Sequence, residues 1–334
     1  MKTLPLKNNT LSEYKKAKRS SDRKETALSW LFLSPYALHY VVFSMVPLAM
    51  GLVFSFCKFN PYDSSYTEFT GFHNYALVFQ NNIYSQYFWG SFKKVLLYDL
   101  VAVPCSIIIP LALAYLINLQ PPGHKIFRAI LYVPSVISIS IVGILFSSIF
   151  SSDPNGLFNA TFNTNINFLN DPENEVLRWF IILLASIWAT SGANFVIYLA
   201  ALRDVPKSLY EACDIDGGGK WEAFRRVTLP SIFPILELSL FSSLIGNLSL
   251  YNQPLVLQGV LFASNYDTPM IFLQKMINDI TKANLMGLLT AFAVVFGIII
   301  MICTGIEKLI VKDRREGRDK DVKRYKAFIE KQKT

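Results

Sequence analysis

Residues 209–230 read LYEACDIDGGGKWEAFRRVTLP, a polar interruption between two long apolar stretches. Ser208 followed by Glu211 has the form of a capping box, which starts a helix just after Pro206. Gly217-Gly218-Gly219 ends that helix, because glycine takes the left-handed conformation a helix C-terminus needs. A second helix begins near Lys220 and places Trp221, Phe224 and Val227 on one side, with Arg225 and Arg226 elsewhere. Leu229-Pro230 stops it and launches the next apolar run. The expected product is a compact knob with a mostly apolar face around Leu209, Ala212, Cys213 and Trp221, a shape suited to a groove on a soluble partner; the alternative is an amphipathic re-entry loop that only rests on the membrane.

The chain on either side is not that of a soluble domain. It is 52% hydrophobic and only 17% charged, with a mean hydropathy of +0.34. Its apolar residues fall into runs of about 20 or more, long enough to span a bilayer. Six are read, at 30–57, 91–118, 126–150, 178–202, 231–257 and 286–310. Backbone amides in hydrocarbon must bond within their own segment, so these runs are predicted to be helices. The fold class is all-α, a polytopic membrane protein of six transmembrane helices. Residues 1–29 are a basic tail, 30–311 the membrane domain with the loop 203–230 inside it, and 312–334 a charged tail.

Charge orients the spans. The first tail carries Lys2, Lys7, Lys15, Lys16, Lys18, Arg19, Arg23 and Lys24, and the last carries ten basic residues from Lys312 to Lys333. Six spans put both tails on one side, which the positive-inside rule makes cytoplasmic. Loops 119–125 and 203–230 then fall inside, with Lys125, Arg203, Lys207, Lys220, Arg225 and Arg226. Loops 58–90, 151–177 and 258–285 fall outside, with only Lys58, Lys275 and Lys282. The net charge of +8 is therefore a topology signal, and nucleic acid is not an expected partner. The first run reads as an uncleaved span, too long for a signal peptide. Cys57, Cys105, Cys213 and Cys303 have no metal-site spacing and read as free thiols. Gly217-Gly218-Gly219-Lys220 is not a phosphate-binding loop: that motif needs Gly where Asp214 stands and Ser or Thr where Trp221 stands. This chain is expected to bind no ATP, no metal and no cofactor of its own.

The spacing Glu211-Ala212-Cys213, three residues, Gly217, nine residues, Val227, one residue, Leu229-Pro230 resembles the Glu-Ala-Ala loop of ABC importer permeases. Cys213 stands for the usual third-position Ala and Val227 for Ile. Asp216-Gly217, Trp221, Phe224 and Thr228-Leu229-Pro230 resemble the extended form found in the carbohydrate-uptake branch, which includes the maltose and glycerol-3-phosphate permeases. Weaker matches run along residues 28–312. They are Trp30-Leu31-Phe32-Leu33-Ser34-Pro35 with Pro47, Phe72-His73-Asn74-Tyr75, Arg128 to Pro134, Asn155 to Asn159 and Tyr251-Asn252-Gln253-Pro254. The Gly-Gly-Pro that follows the last element in the family is replaced by Gln258-Gly259-Val260.

The resemblance implies a type I ABC importer permease in the bacterial or archaeal plasma membrane. Its implied partners are a second homologous permease, two ATPase subunits that bind ATP and Mg, an extracytoplasmic solute-binding protein, and membrane lipid. It implies ATPase coupling at Glu211, Ala212, Cys213, Asp216, Gly217, Trp221, Phe224, Leu229 and Pro230, and no catalysis by this chain.

The substrate path is read from polar residues inside spans, which are costly unless they face a bundle interior or a cavity. Asn247 and Tyr251 are one turn apart and are expected on one face of the fifth span. Thr190 and Asn194 are paired likewise in the fourth. Interhelical hydrogen bonding is the alternative role for such residues. Glu237 is taken as the one acid well inside a span. That scarcity argues against the alternative of an ion-coupled secondary transporter, which would need intramembrane acids. A membrane scaffold without transport is the other alternative.

Overall fold

The computed structural model describes residues 26, 28–151, 153, 156–169, 175–258, 268–306, 308 and 309. The tail 312–334, nearly all of the tail 1–29, Asn155 and Gly259-Val260 lie outside them. In chain order the helices are α1 (Leu28–Phe54), α2 (His73–Phe79), α3 (Ile83–Asn118), α4 (His124–Val136), α5 (Ile139–Ile149) and α6 (Leu157–Phe162). They continue with α7 (Glu175–Arg203), α8 (Lys207–Ile215), α9 (Lys220–Leu248), α10 (Asn252–Gln258), α11 (Pro269–Asn278) and α12 (Thr281–Ile306). A two-stranded antiparallel ribbon, β1 (Cys57–Lys58) with β2 (Glu68–Phe69), joins α1 to α2.

The helices α1, α3, α7, α9 and α12 are long and apolar enough to cross a membrane. The expected third span, 126–150, is not one rod: α4 and α5 meet at 98°. The local sequence permits the break. Pro134 has no N–H to give in the last turn of α4, and Ile137 and Ser138 are extended, with ψ near 135° and 138°. Counted as one bent span, the pair makes six.

The fifth span also differs from expectation. It ends at Leu248 rather than continuing to 257, and the chain restarts as α10. A straight continuation would drive the Pro254 ring into the Leu250 carbonyl. Breaking at Ser249–Tyr251 instead leaves Pro254 in the first turn of α10, where no N–H is needed. At its other end the span starts early, because Lys220–Leu248 runs as one helix through Leu229-Pro230. Leu229-Pro230 therefore does not stop a helix. Residues Phe224–Thr228 widen into a π-turn just before Pro230, which relieves the ring's clash with the preceding turn.

The second span begins before the apolar run does. Asn82 caps α3 by accepting from the Tyr84 and Ser85 amides, each at 3.0 Å. With 36 residues, α3 is about 54 Å long, well beyond the roughly 30 Å hydrocarbon thickness. Its first turns rest on α2, where Trp89 Nε1 donates to the Val78 carbonyl at 3.1 Å.

Three apolar clusters hold the bundle together, each including residues of α3. One gathers Phe146, Ile181, Ile182 and Leu257, a second gathers Phe88, Phe272, Phe292 and Phe296, and a third gathers Ala114, Phe195, Leu199 and Ile232. Close approach of α4 to α7 depends on Gly192, since a Cβ there would lie 2.7 Å from the Leu131 carbonyl oxygen. By contrast α1 buries none of its most apolar stretch within the chain and exposes Trp30, Phe32, Phe43 and Leu48.

Candidate functional site

Two features of the fold hold the candidate site residues: the knob formed by α8 and the start of α9, and a cavity between α3, α4, α7 and α9.

The knob's first helix is built differently at its start than the sequence suggests. Its N-cap is Pro206, extended at ψ 132°, and no side chain caps it. Ser208 already lies inside the first turn, so the Ser208–Glu211 capping box does not form. Glu211 is exposed and uncommitted to the cap. The C-terminal end is a double hydrogen-bonded stop. Gly218 N–H donates to the Cys213 carbonyl at 2.9 Å and Gly217 N–H to the Asp214 carbonyl at 3.0 Å. Gly217 holds the left-handed φ of +77° that this arrangement requires.

None of the residues of α8 is buried. Ala212, Asp216 and Ile215 are exposed and Cys213 is half-buried; Trp221, on the next helix, is 73% exposed. An indole left this open is available to contact another surface. The knob is anchored from behind. Tyr210 Oη lies 2.9 Å from the buried Thr228 Oγ1, and Phe224 meets Trp221 at 5.7 Å and Tyr115 of α3 edge-on at 5.1 Å. Leu229 is half-buried and Pro230 exposed at the base. The knob is thus in contact with the root of α9 and with α3. Tyr210 was missed from sequence; an aromatic among exposed α8 residues gives no periodicity signal.

The cavity encloses about 460 Å³. Both helix breaks border it: Ile137 and Ile139 from the α4–α5 bend, Leu250 and Gln253 from the α9–α10 interruption. Broken helices at membrane depth are tolerated where the freed backbone lines a cavity. Hydroxyls come from Tyr98 and Ser106 of α3, Ser135 of α4, Ser186 and Thr190 of α7, and Ser242 and Ser243 of α9. Amides come from Asn194, Asn247 and Gln253. Among the described residues no Lys, Arg or His lines it.

Some of these groups are committed to one another. Ser106 Oγ is 3.1 Å from Ser243 Oγ, Asn194 Nδ2 donates to the Ser106 carbonyl at 3.3 Å, and Thr190 Oγ1 donates to the Ser186 carbonyl at 2.8 Å. Others are not: Tyr98 Oη, Ser186 Oγ and Asn247 Nδ2 are buried without a hydrogen bond of good geometry. Tyr98 faces Ser186 and Asn247 faces Asp99, so these groups have one another as polar neighbours.

Asn247, Thr190 and Asn194 all line this cavity. Tyr251 does not. The helix that was to place it below Asn247 ends at Leu248, so the two residues share no helical face. Glu237 is also not the one acid inside a span. Asp99 lies in the middle of α3, only 6% exposed, with the Asn247 side chain facing it and no bond of good geometry to either carboxylate oxygen. The signal was present in the sequence as a lone Asp within the run Tyr98-Asp99-Leu100-Val101-Ala102. Among the described residues no cluster of His, Cys, Asp and Glu could hold a metal ion.

A family model described as "binding-protein-dependent transport system inner membrane component" matches residues 106–316. The chain belongs to this family. The permease is 29% identical over 260 residues to the arabinooligosaccharides transport system permease protein of Bacillus subtilis strain 168, covering 76% of this chain and 80% of that one. It is 31% identical over 229 residues to the lactose transport system permease protein of Rhizobium radiobacter, covering 67% and 74%. Two solved structures share the fold. One is a bacterial ABC transporter involved in import of the acidic polysaccharide alginate, with a TM-score of 0.66 at 20% identity over 88% of this chain and 98% of that one. The other is a bacterial alginate ABC transporter in complex with an alginate pentasaccharide-bound periplasmic protein, at 0.68 and 22% over 86% and 94%. The permease is a multi-pass protein of the bacterial inner membrane and a component of binding-protein-dependent transport.

Proposed function

We propose that this permease carries an uncharged sugar or oligosaccharide inward, driven by ATP hydrolysis in separate subunits. The observation that carries the substrate reading is the cavity at the two helix breaks. Its polar lining is hydroxyl and amide throughout, with no cation to pair a carboxylate or sulfate. Hydroxyls and amides are the groups that exchange hydrogen bonds with sugar hydroxyls, and Tyr98 adds an aromatic face. The names of the relatives, which concern arabinooligosaccharides and lactose, agree with it.

The exposed knob supports docking to an ATPase subunit, which would hold the ATP and Mg. The unburied α1 supports pairing with a second permease, as two six-span halves around one path require. A binding protein delivers the solute from outside. On this reading the permease makes and breaks no covalent bond; it couples two sites through alternative packings of its helices.

The test is Asn247→Ala in the assembled transporter, with uptake of radiolabelled neutral oligosaccharides. Loss of one hydrogen bond to the solute predicts about a 2- to 10-fold fall in uptake at low concentration. Co-purification of the partner subunits should be unchanged. Uptake equal to wild type across the full concentration range would remove Asn247 from the path.

Both termini are proposed to be cytoplasmic, on the loop charges above. A cysteine placed at Lys207 in a cysteine-free background should resist membrane-impermeant maleimide in intact cells, and one at Ser64 should react. Labelling at position 207 in intact cells would overturn this orientation.

A further inference from the structure

A second cavity, of about 470 Å³, lies between α4 and α7. It is lined by Lys125 and Arg128 of α4 and Arg203 at the end of α7, together with His124, Tyr132 and Val196. Arg203 is four residues before α8, so the cavity sits at the knob end of the bundle.

The electrostatics there are one-sided. Among the described residues no carboxylate lines the cavity. None of Lys125, Arg128 and Arg203 forms an ion pair among the described residues, and the neighbouring Asp204 is exposed and unpaired with Arg203. All three cations are exposed, and an anion entering the cavity would be attracted by each of them. His124 is fixed at the rim, its Nδ1 3.2 Å from the Pro121 carbonyl oxygen.

The surroundings identify what carries the anion. Ile126, Phe127, Ile130 and Val133 of the same helix are exposed, presenting apolar surface beside the cations. Val196 and Tyr132 give the cavity itself an apolar wall. A phosphate in the cavity would leave its attached hydrocarbon alongside α4. Basic pockets between transmembrane helices at the cytoplasmic face bind anionic headgroups on this principle.

We propose that the Lys125–Arg128–Arg203 cavity is a binding site for a phosphate group carried by an anionic lipid headgroup. The lipid would fasten the cytoplasmic ends of α4 and α7 together beside the root of the knob. The site is independent of the sugar path, because no residue lines both cavities.

The experiment uses the full-length chain, purified in mild detergent and placed in nanodiscs of phosphatidylcholine alone or with phosphatidylglycerol. Retained phosphatidylglycerol is counted by native mass spectrometry. Removing three cations in Lys125→Gln/Arg128→Gln/Arg203→Gln is expected to weaken retention on the order of 100-fold. The control Lys308→Gln, at the end of α12, should retain lipid as wild type does. Phosphatidylglycerol should raise the thermal unfolding midpoint of the wild type and of the control but not of the triple variant.

Equal unfolding midpoints in the two lipid mixtures for the wild type would overturn the proposal, as would full retention by a triple variant that elutes normally on gel filtration. Inorganic phosphate or glycerol phosphate matching the whole effect of phosphatidylglycerol would overturn the lipid as its source. Loss of ATPase co-purification from the triple variant, with lipid retention unchanged, would assign the cations to a protein partner and overturn it as well.

Discussion

Gly217→Val is expected to leave the permease in the membrane, still paired with its sister subunit, and to reduce transport close to background. Gly217 sits at φ +77° and its N–H closes one of the two hydrogen bonds that end α8. A β-branched residue in that conformation costs on the order of 1–2 kcal/mol or more. A Cβ at this position would meet nothing within 4 Å, so the cost is in the backbone and not in packing. The cheapest relief is to unwind the last turn of α8. That moves Ile215 and Trp221, the most exposed apolar residues of the knob. ATPase docking should fail before the fold does. Asparagine tolerates the left-handed region, so Gly217→Asn should keep most of the activity. The measurements are co-purification of the ATPase subunit and sugar uptake in the same cells. If Gly217→Val and Glu211→Arg both retain full ATPase binding and full uptake, residues 209–221 are not the coupling element.

Gly246→Trp is expected to abolish uptake by a different route. Gly246 lines the cavity one residue before Asn247, and a Cβ built on it has no neighbour within 4 Å. A side chain there has room to enter the 460 Å³ space without disturbing the helix that carries it. Replacing glycine in a helix interior is itself favourable by a few tenths of a kcal/mol. The variant should therefore express, bind the ATPase and lose transport. Gly246→Ala should transport normally. Normal uptake by Gly246→Trp would place the sugar path elsewhere. Coupling and path are separated by these two variants, since one loses ATPase binding and the other keeps it.

A cavity wall made of seven hydroxyl residues and three amides could not have been assembled from the sequence. Ser106, Ser135, Ser186, Ser242 and Ser243 are scattered over four helices, and a serine in an apolar run is common enough to carry no signal by itself. Asn247 and Asn194 stood out because a carboxamide in hydrocarbon is costly. Asp99 stood out for the same reason and was overlooked inside a longer apolar run. Tyr251 was misplaced because its assignment assumed an unbroken helix. The Ser208–Glu211 cap was misread because Pro206 already supplies the extended residue a helix start needs, which pushes Ser208 into the helix.

What the sequence determined by itself was set over short windows. Whether about 20 residues enter a bilayer depends on their own side chains and on a backbone that satisfies itself, so the apolar runs were enough to show a membrane protein of several spans. The stop at Gly217 was equally local, because the left-handed conformation penalises every residue with a Cβ. The 98° bend between α4 and α5, the end of α9 at Leu248, the Tyr210–Thr228 anchor and both cavities were decided by the tertiary structure. A helix can break in a membrane only where other helices or a polar space take up the backbone groups it releases. Those neighbours are many residues away in the chain and become neighbours only when the bundle closes.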